Sequence, residues 1–100
     1  MGELERAVMS VLWDGNDWMT PRQVLDRLEL DPPVVYSTVM TILRRLWKKG
    51  VVDRERSGRA FSYRPVQGEG EQTAERMARL LHASNDPEAA LTHFLASLDA

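Results

Sequence analysis

Three amphipathic helical segments followed by a short β-hairpin predict a mainly α fold with a small hairpin, the winged helix-turn-helix, continued by a C-terminal helical arm. Two observations carry this prediction: the order helix, helix, helix, hairpin, and a basic block that falls on the third helix and the hairpin. The 100 residues carry 13 Lys and Arg against 15 Asp and Glu, a formal net charge of -2. Residues 1–43 hold three basic and seven acidic side chains, net -4, and residues 65–100 hold two and six, again -4. Residues 44–64 hold eight basic ones (Arg44, Arg45, Lys48, Lys49, Arg54, Arg56, Arg59, Arg64) against Asp53 and Glu55, net +6. A basic block between acidic flanks is a localised footprint for a polyanion, which the whole-chain charge conceals.

The remaining composition narrows the class. Hydrophobic content of 43% and charged content of 28% suit a globular chain. Its length suits one domain, or one domain with an appendage. No apolar run approaches the ~18 residues of a membrane span. The opening MGELERAVMS has acidic residues and no apolar h-region, so no secretory signal is expected. With Cys 0, disulfides, thiol catalysis and thiolate metal sites are excluded, and a cytoplasmic protein is expected.

The first segment places Leu4, Ala7, Val8, Val11 and Leu12 at helical spacing, and Asp14-Gly15-Asn16-Asp17 stops it. At Thr20-Pro21-Arg22-Gln23 three start signals coincide. Thr20 can cap, Pro21 suits the first helical position, and Gln23 completes a capping box. Trp18, just before this cap, is expected to contribute a hydrophobic staple. Val24, Leu25 and Leu28 give a second, short helix an apolar face, and Asp31-Pro32-Pro33 is expected to end it.

A third helix is expected from about Val35 to Lys49, with Gly50 just beyond its end and Ser37 as an alternative cap to the poorly suited Val35 and Tyr36. Strands Val51 to Arg56 and Phe61 to Val66 then flank a Ser57-Gly58-Arg59 turn. Phe61 and Tyr63 fall on one face, Ser62 and Arg64 on the other. Gly68-Glu69-Gly70 reads as a linker. Two further helical patterns follow, Ala74, Met77, Ala78, Leu81 and then Leu91, Phe94, Leu95, Leu98, separated by Asn85-Asp86-Pro87. The domain limits are therefore 1–67 and 68–100.

At 100° per residue, Ser37, Thr41, Arg44, Arg45 and Lys48 share roughly 100° of the third helix, while Val39, Ile42, Leu43 and Leu46 share an arc centred about 160° away. One face can pack; the other offers hydroxyls and then cations, as a helix lying in the DNA major groove requires. The same pattern suits a solvated helix whose cations complement its macrodipole. The basic hairpin directly after it favours DNA. Arg59 lies at the turn, where a phosphate or minor-groove contact is expected.

Trp13 and Trp47 extend apolar stripes and read as packing residues. His82 and His93 lack neighbours at metal-ligand spacing, so no metal is expected. There is no Ser-His-Asp order, carboxylate pair or glycine-rich phosphate loop, so neither catalysis nor a cofactor is expected.

GELERAVMSVLW, TPRQVLDRL, YSTVMTILRRLWKKGVV and GRAFSYRPV together resemble the penicillinase-repressor (BlaI/MecI/CopY) family, closely over residues 2–66 and loosely over 69–98. The resemblance implies a bacterial winged-helix repressor that binds its operator as a homodimer and controls genes of the beta-lactam-resistance type. Its recognition contacts fall on Ser37, Thr38, Met40, Thr41, Arg44 and Arg45; some relatives carry a cation where Met40 stands. Copper-responsive members use C-terminal cysteines, which this chain lacks. In the resistance branch an inducing protease cuts between Asn and Phe, a place taken here by His93-Phe94. Members also carry a further helix beyond the point where this chain stops, so the arm reads as one helix short.

The arm is about 32 residues long, too small to bury two apolar helix faces alone. It can pack back on the winged helix or against the same segment of a second chain; the Gly68-Glu69-Gly70 spacer favours the second, so Met77, Leu81, Leu91, Phe94 and Leu98 are expected to line a homodimer interface. Ser37, Thr38, Met40 and Thr41 are expected to read base edges; Arg44, Arg45, Lys48 and Arg59 are expected to meet phosphates of a pseudo-palindromic operator. The alternative is a winged helix that binds proteins without specific DNA binding.

Overall fold

In the computed structural model, which describes residues 2–15 and 17–99, five helices and one hairpin form two compact units that divide after Gly68. Asn16, expected to help stop the first helix, lies outside the described residues.

In the first unit, α1 (Glu3–Gly15) begins with Glu3 and Glu5, which complement the positive end of the helix dipole. It buries Val8, Met9 and Leu12. The expected stripe is thus rotated. Leu4 is exposed, and Met9, unremarked in the apolar pattern, is fully buried. Trp13 packs against the core as expected, with Nε1 donating to the Gln67 carbonyl at 3.0 Å.

The second helix, α2 (Pro21–Arg27), starts on the expected capping box. Gln23 N donates to Thr20 Oγ1 at 3.2 Å, and Thr20 N donates to Gln23 Oε1 at 2.9 Å. The residue preceding the cap is Met19, so Met19 and not Trp18 takes the staple position; it shares the core with Val24, four residues into the helix. The prolines do not end α2. It stops at Leu28, which is already extended (φ -72, ψ 129) and packs against the core, so a tertiary contact ends the helix before the prolines can.

Helix α3 (Tyr36–Lys48) has Val35 as its N-cap, with no side-chain cap bond, and Ser37 lies inside the first turn. Gly50 follows the C-cap with φ +80, a conformation that only glycine adopts without strain. Val39, Ile42, Leu43 and Leu46 are buried and form the centre of the core with Val8, Met9, Leu12, Met19, Val24, Val52 and Tyr63.

Strands β1 (Val52–Ser57) and β2 (Ala60–Pro65) pair antiparallel, with Ser57 opposite Ala60. The turn is therefore the two residues Gly58-Arg59, one fewer than expected. Gly58 has φ +66, as the first central residue of a primed hairpin turn requires. Met19 adds an antiparallel bridge to β2 through two 2.8 Å bonds with Tyr63, which moors the hairpin to the start of α2. Ser62, on the face opposite Tyr63, is nonetheless buried.

The second unit holds α4 (Glu69–Ala83) and α5 (Pro87–Ser97). The expected linker residues Glu69 and Gly70 instead form the first turn of α4. Asp86 caps α5 by accepting from Ala89 N at 3.0 Å, and Pro87 occupies its first position. Among the described residues no helix is long and apolar enough to cross a membrane.

Candidate nucleic-acid interface

With four apolar side chains of α3 committed to the core, its opposite face is turned outward. Ser37, Met40, Thr41, Arg44, Arg45 and Lys48 are exposed, and Thr38 is half-buried. Hydroxyls occupy the N-terminal half of this face and cations the C-terminal half. The Thr41 hydroxyl donates to the Ser37 carbonyl at 3.0 Å. Its proton is committed there, and its oxygen lone pairs and methyl remain for an external group. Leu4, Ser37, Thr38, Thr41, Ile42 and Arg45 line a shallow open pocket on this side of the helix. Val35 and Tyr36, which sequence reasoning did not select, are exposed apolar residues at the same end of α3.

The basic block divides by geometry into cations that are engaged and cations that are presented. Lys49 Nζ sits 2.9 and 2.7 Å from the two Glu5 carboxylate oxygens, tying the end of α3 to the start of α1. The Arg64 guanidinium lies 4.4 Å from the Trp18 ring centroid. Arg54 is half-buried, 3.6 Å from the Trp47 centroid and 4.0 Å from that of Phe61. Arg56 is exposed but lies 5.4 Å from the Phe61 centroid, whereas Arg44, Arg45, Lys48 and Arg59 are presented to solvent, Arg59 in the hairpin turn itself. Trp47 is not the packing residue its stripe implied. It is 39% exposed, and its ring is the surface against which Arg54 stacks.

The arrangement is a buried three-helix core that presents one polar, cationic helix face beside a cationic hairpin. Over residues 1–100 the chain matches the family model described as Penicillinase repressor. The chain belongs to the penicillinase repressor family. A transcriptional regulator BlaI of Mycobacterium tuberculosis (strain CDC 1551 / Oshkosh) is 42% identical over 103 residues, spanning 100% of this chain and 75% of the relative. The solution structure of the DNA binding domain of the repressor BlaI is 30% identical with a TM-score of 0.60, covering 71% of this chain and 85% of that one. A CopR repressor structure is 32% identical with a TM-score of 0.55, over 66% and 91% of the two chains. The chain is thus a winged-helix transcriptional repressor, and repressors of this family are not enzymes.

The arm residues are a separate set. Met77, Leu91, Phe94 and Leu98 are exposed and Leu81 is half-buried. Met77, Leu80, Leu81, Leu91 and Phe94 line an open groove of about 360 Å³ between α4 and α5. Leu80, at 75% exposed, was not selected from the sequence because it falls off the α4 stripe; Leu95 was placed in the α5 pattern but not among the expected interface residues. The His93-Phe94 bond lies within α5.

Proposed function

We propose that this repressor binds duplex DNA as a homodimer, with α3 in the major groove of each half of a pseudo-palindromic operator. The observation that supports this best is the division of α3: four core residues on one face, and on the other hydroxyls followed by three exposed cations with no ion-pair partner among the described residues. Short polar side chains can approach base edges, and Arg44, Arg45 and Lys48 can reach phosphates or guanine edges. Ser37, Thr38, Met40 and Thr41 read bases. Because its proton is held by the Ser37 carbonyl, Thr41 acts as an acceptor towards adenine or cytosine amino groups, or offers its methyl to thymine. Arg59, at the hairpin turn, meets the backbone beside the groove.

Residues 1–67 are the DNA-binding domain and residues 68–100 the dimerisation segment. The second copy is the occupant that suits the arm. Two helices whose large apolar residues remain exposed need a partner surface, and an isologous one doubles the number of half-sites. The proposed setting is the cytoplasm, the regulated genes are of the beta-lactam-resistance type, and induction is cleavage at His93-Phe94 by a protease. The deciding experiment is anisotropy of the chain with labelled duplexes as salt is raised. A steep loss of affinity, with preference for one enriched sequence over a random one, is expected. Binding that is insensitive to salt, or equal for every sequence, would instead favour a protein-interaction module.

A further inference from the structure

Between the C-terminal end of α3 and the hairpin, aromatic rings and guanidinium groups alternate. Arg54 lies over Trp47 at 3.6 Å and over Phe61 at 4.0 Å, and Arg56 lies over Phe61 at 5.4 Å. Trp47 is on α3, Arg54 and Arg56 on β1, and Phe61 on β2. The strand register puts Arg54 opposite Tyr63 and Arg56 opposite Phe61, so both arginines share a hairpin face; Asp53 and Glu55 alternate onto the other face with Arg64 and Ser62. The carboxylates of the basic block are thereby sorted away from this pair. Among the described residues none accepts a hydrogen bond from Arg54 or Arg56 and none forms an ion pair with either.

A guanidinium uses its flat faces to stack and its edge to donate. With its Cζ over both Trp47 and Phe61 and no acceptor for it among the described residues, half-buried Arg54 is held in place with its N–H groups unspent. A guanidinium so held can take a phosphate through two parallel bonds from its N–H edge. Arg44 stands one helical turn before Trp47 on the exposed side of α3, so this edge borders the face assigned to DNA.

We propose that Arg54, held by Trp47 and Phe61 and assisted by Arg56, is a preformed site for one DNA backbone phosphate at the base of the hairpin. The inference rests on the DNA-binding reading. It adds that two uncharged rings contribute to affinity by holding a cation that would otherwise have to be ordered when DNA arrives.

The test is anisotropy of the full chain with a labelled duplex enriched by the wild type, from about 50 to 200 mM salt. Arg54→Gln is expected to lower the salt slope by about one unit. Arg54→Lys and Trp47→Leu keep every charge and should hold the slope while weakening binding about three- to tenfold. Circular dichroism melts of each variant confirm folding, and Arg54→Lys serves should Trp47→Leu fail to fold. The phosphate site is overturned if Arg54→Gln leaves the slope of a steeply salt-dependent wild type unchanged. It is equally overturned if Arg54→Lys and Trp47→Leu both bind as the wild type does. A wild type without salt-dependent binding removes the DNA reading, and the site with it.

Discussion

Phe94→Ala tests the assembly of the arm. Phe94 is 42% exposed in the single chain. A phenylalanine offers about 200 Å² of surface, so roughly 85 Å² remains to be covered by a second copy. At about 25 cal/mol per Å² that burial stabilises by ~2 kcal/mol per chain. Two-fold symmetry counts it twice, ~4 kcal/mol, of which alanine retains the Cβ share, leaving a loss of ~3 kcal/mol. At 1.4 kcal/mol per tenfold, the dimer dissociation constant should rise about 100-fold. Sedimentation equilibrium reads this directly. Because the side chain is already half outside the single-chain fold, helical content should be unchanged, which separates lost association from lost folding. A dissociation constant within about twofold of the wild type would refute the assignment of this face to a second copy.

Three further outcomes can be measured. Thr41→Ala should erode discrimination between the enriched and random duplexes more than total affinity, whereas Lys48→Ala should weaken both alike and flatten the salt slope by about one unit. Thr20→Ala removes one bond of the α2 capping box and should cost ~1 kcal/mol, seen as a melting temperature lower by about 4–8 °C. Leu43→Ala opens a void at a fully buried position and should cost ~2–5 kcal/mol in urea unfolding, with the midpoint falling and the slope unchanged.

What could be read in advance follows from the range of the physics involved. The capping box at Thr20, the glycine after α3 and the two-faced pattern of α3 depend on residues a few positions apart, so a linear reading captures them. The apolar arm was legible for the same reason, although Leu80 and Leu95 were left out of its exposed set. Trp47 was misassigned because its spacing says only that it flanks the core stripe. Whether a ring at that margin is covered by the core or by an arginine from β1 depends on where the hairpin lands.

By itself the sequence determined the element order, the burial of one α3 face and the basic middle between acidic flanks. Helical periodicity, capping chemistry and charge are local properties that survive any arrangement of the chain. The tertiary structure alone decided that Leu28 ends α2, that Met9 and not Leu4 enters the core, and that Lys49 closes on Glu5 44 residues away. It also divided the eight cations into those stacked or paired and those presented. Each of these depends on which distant surface a side chain meets. That is set by the packing of helices and hairpin around one core, where burial outweighs the weak preferences of any single segment.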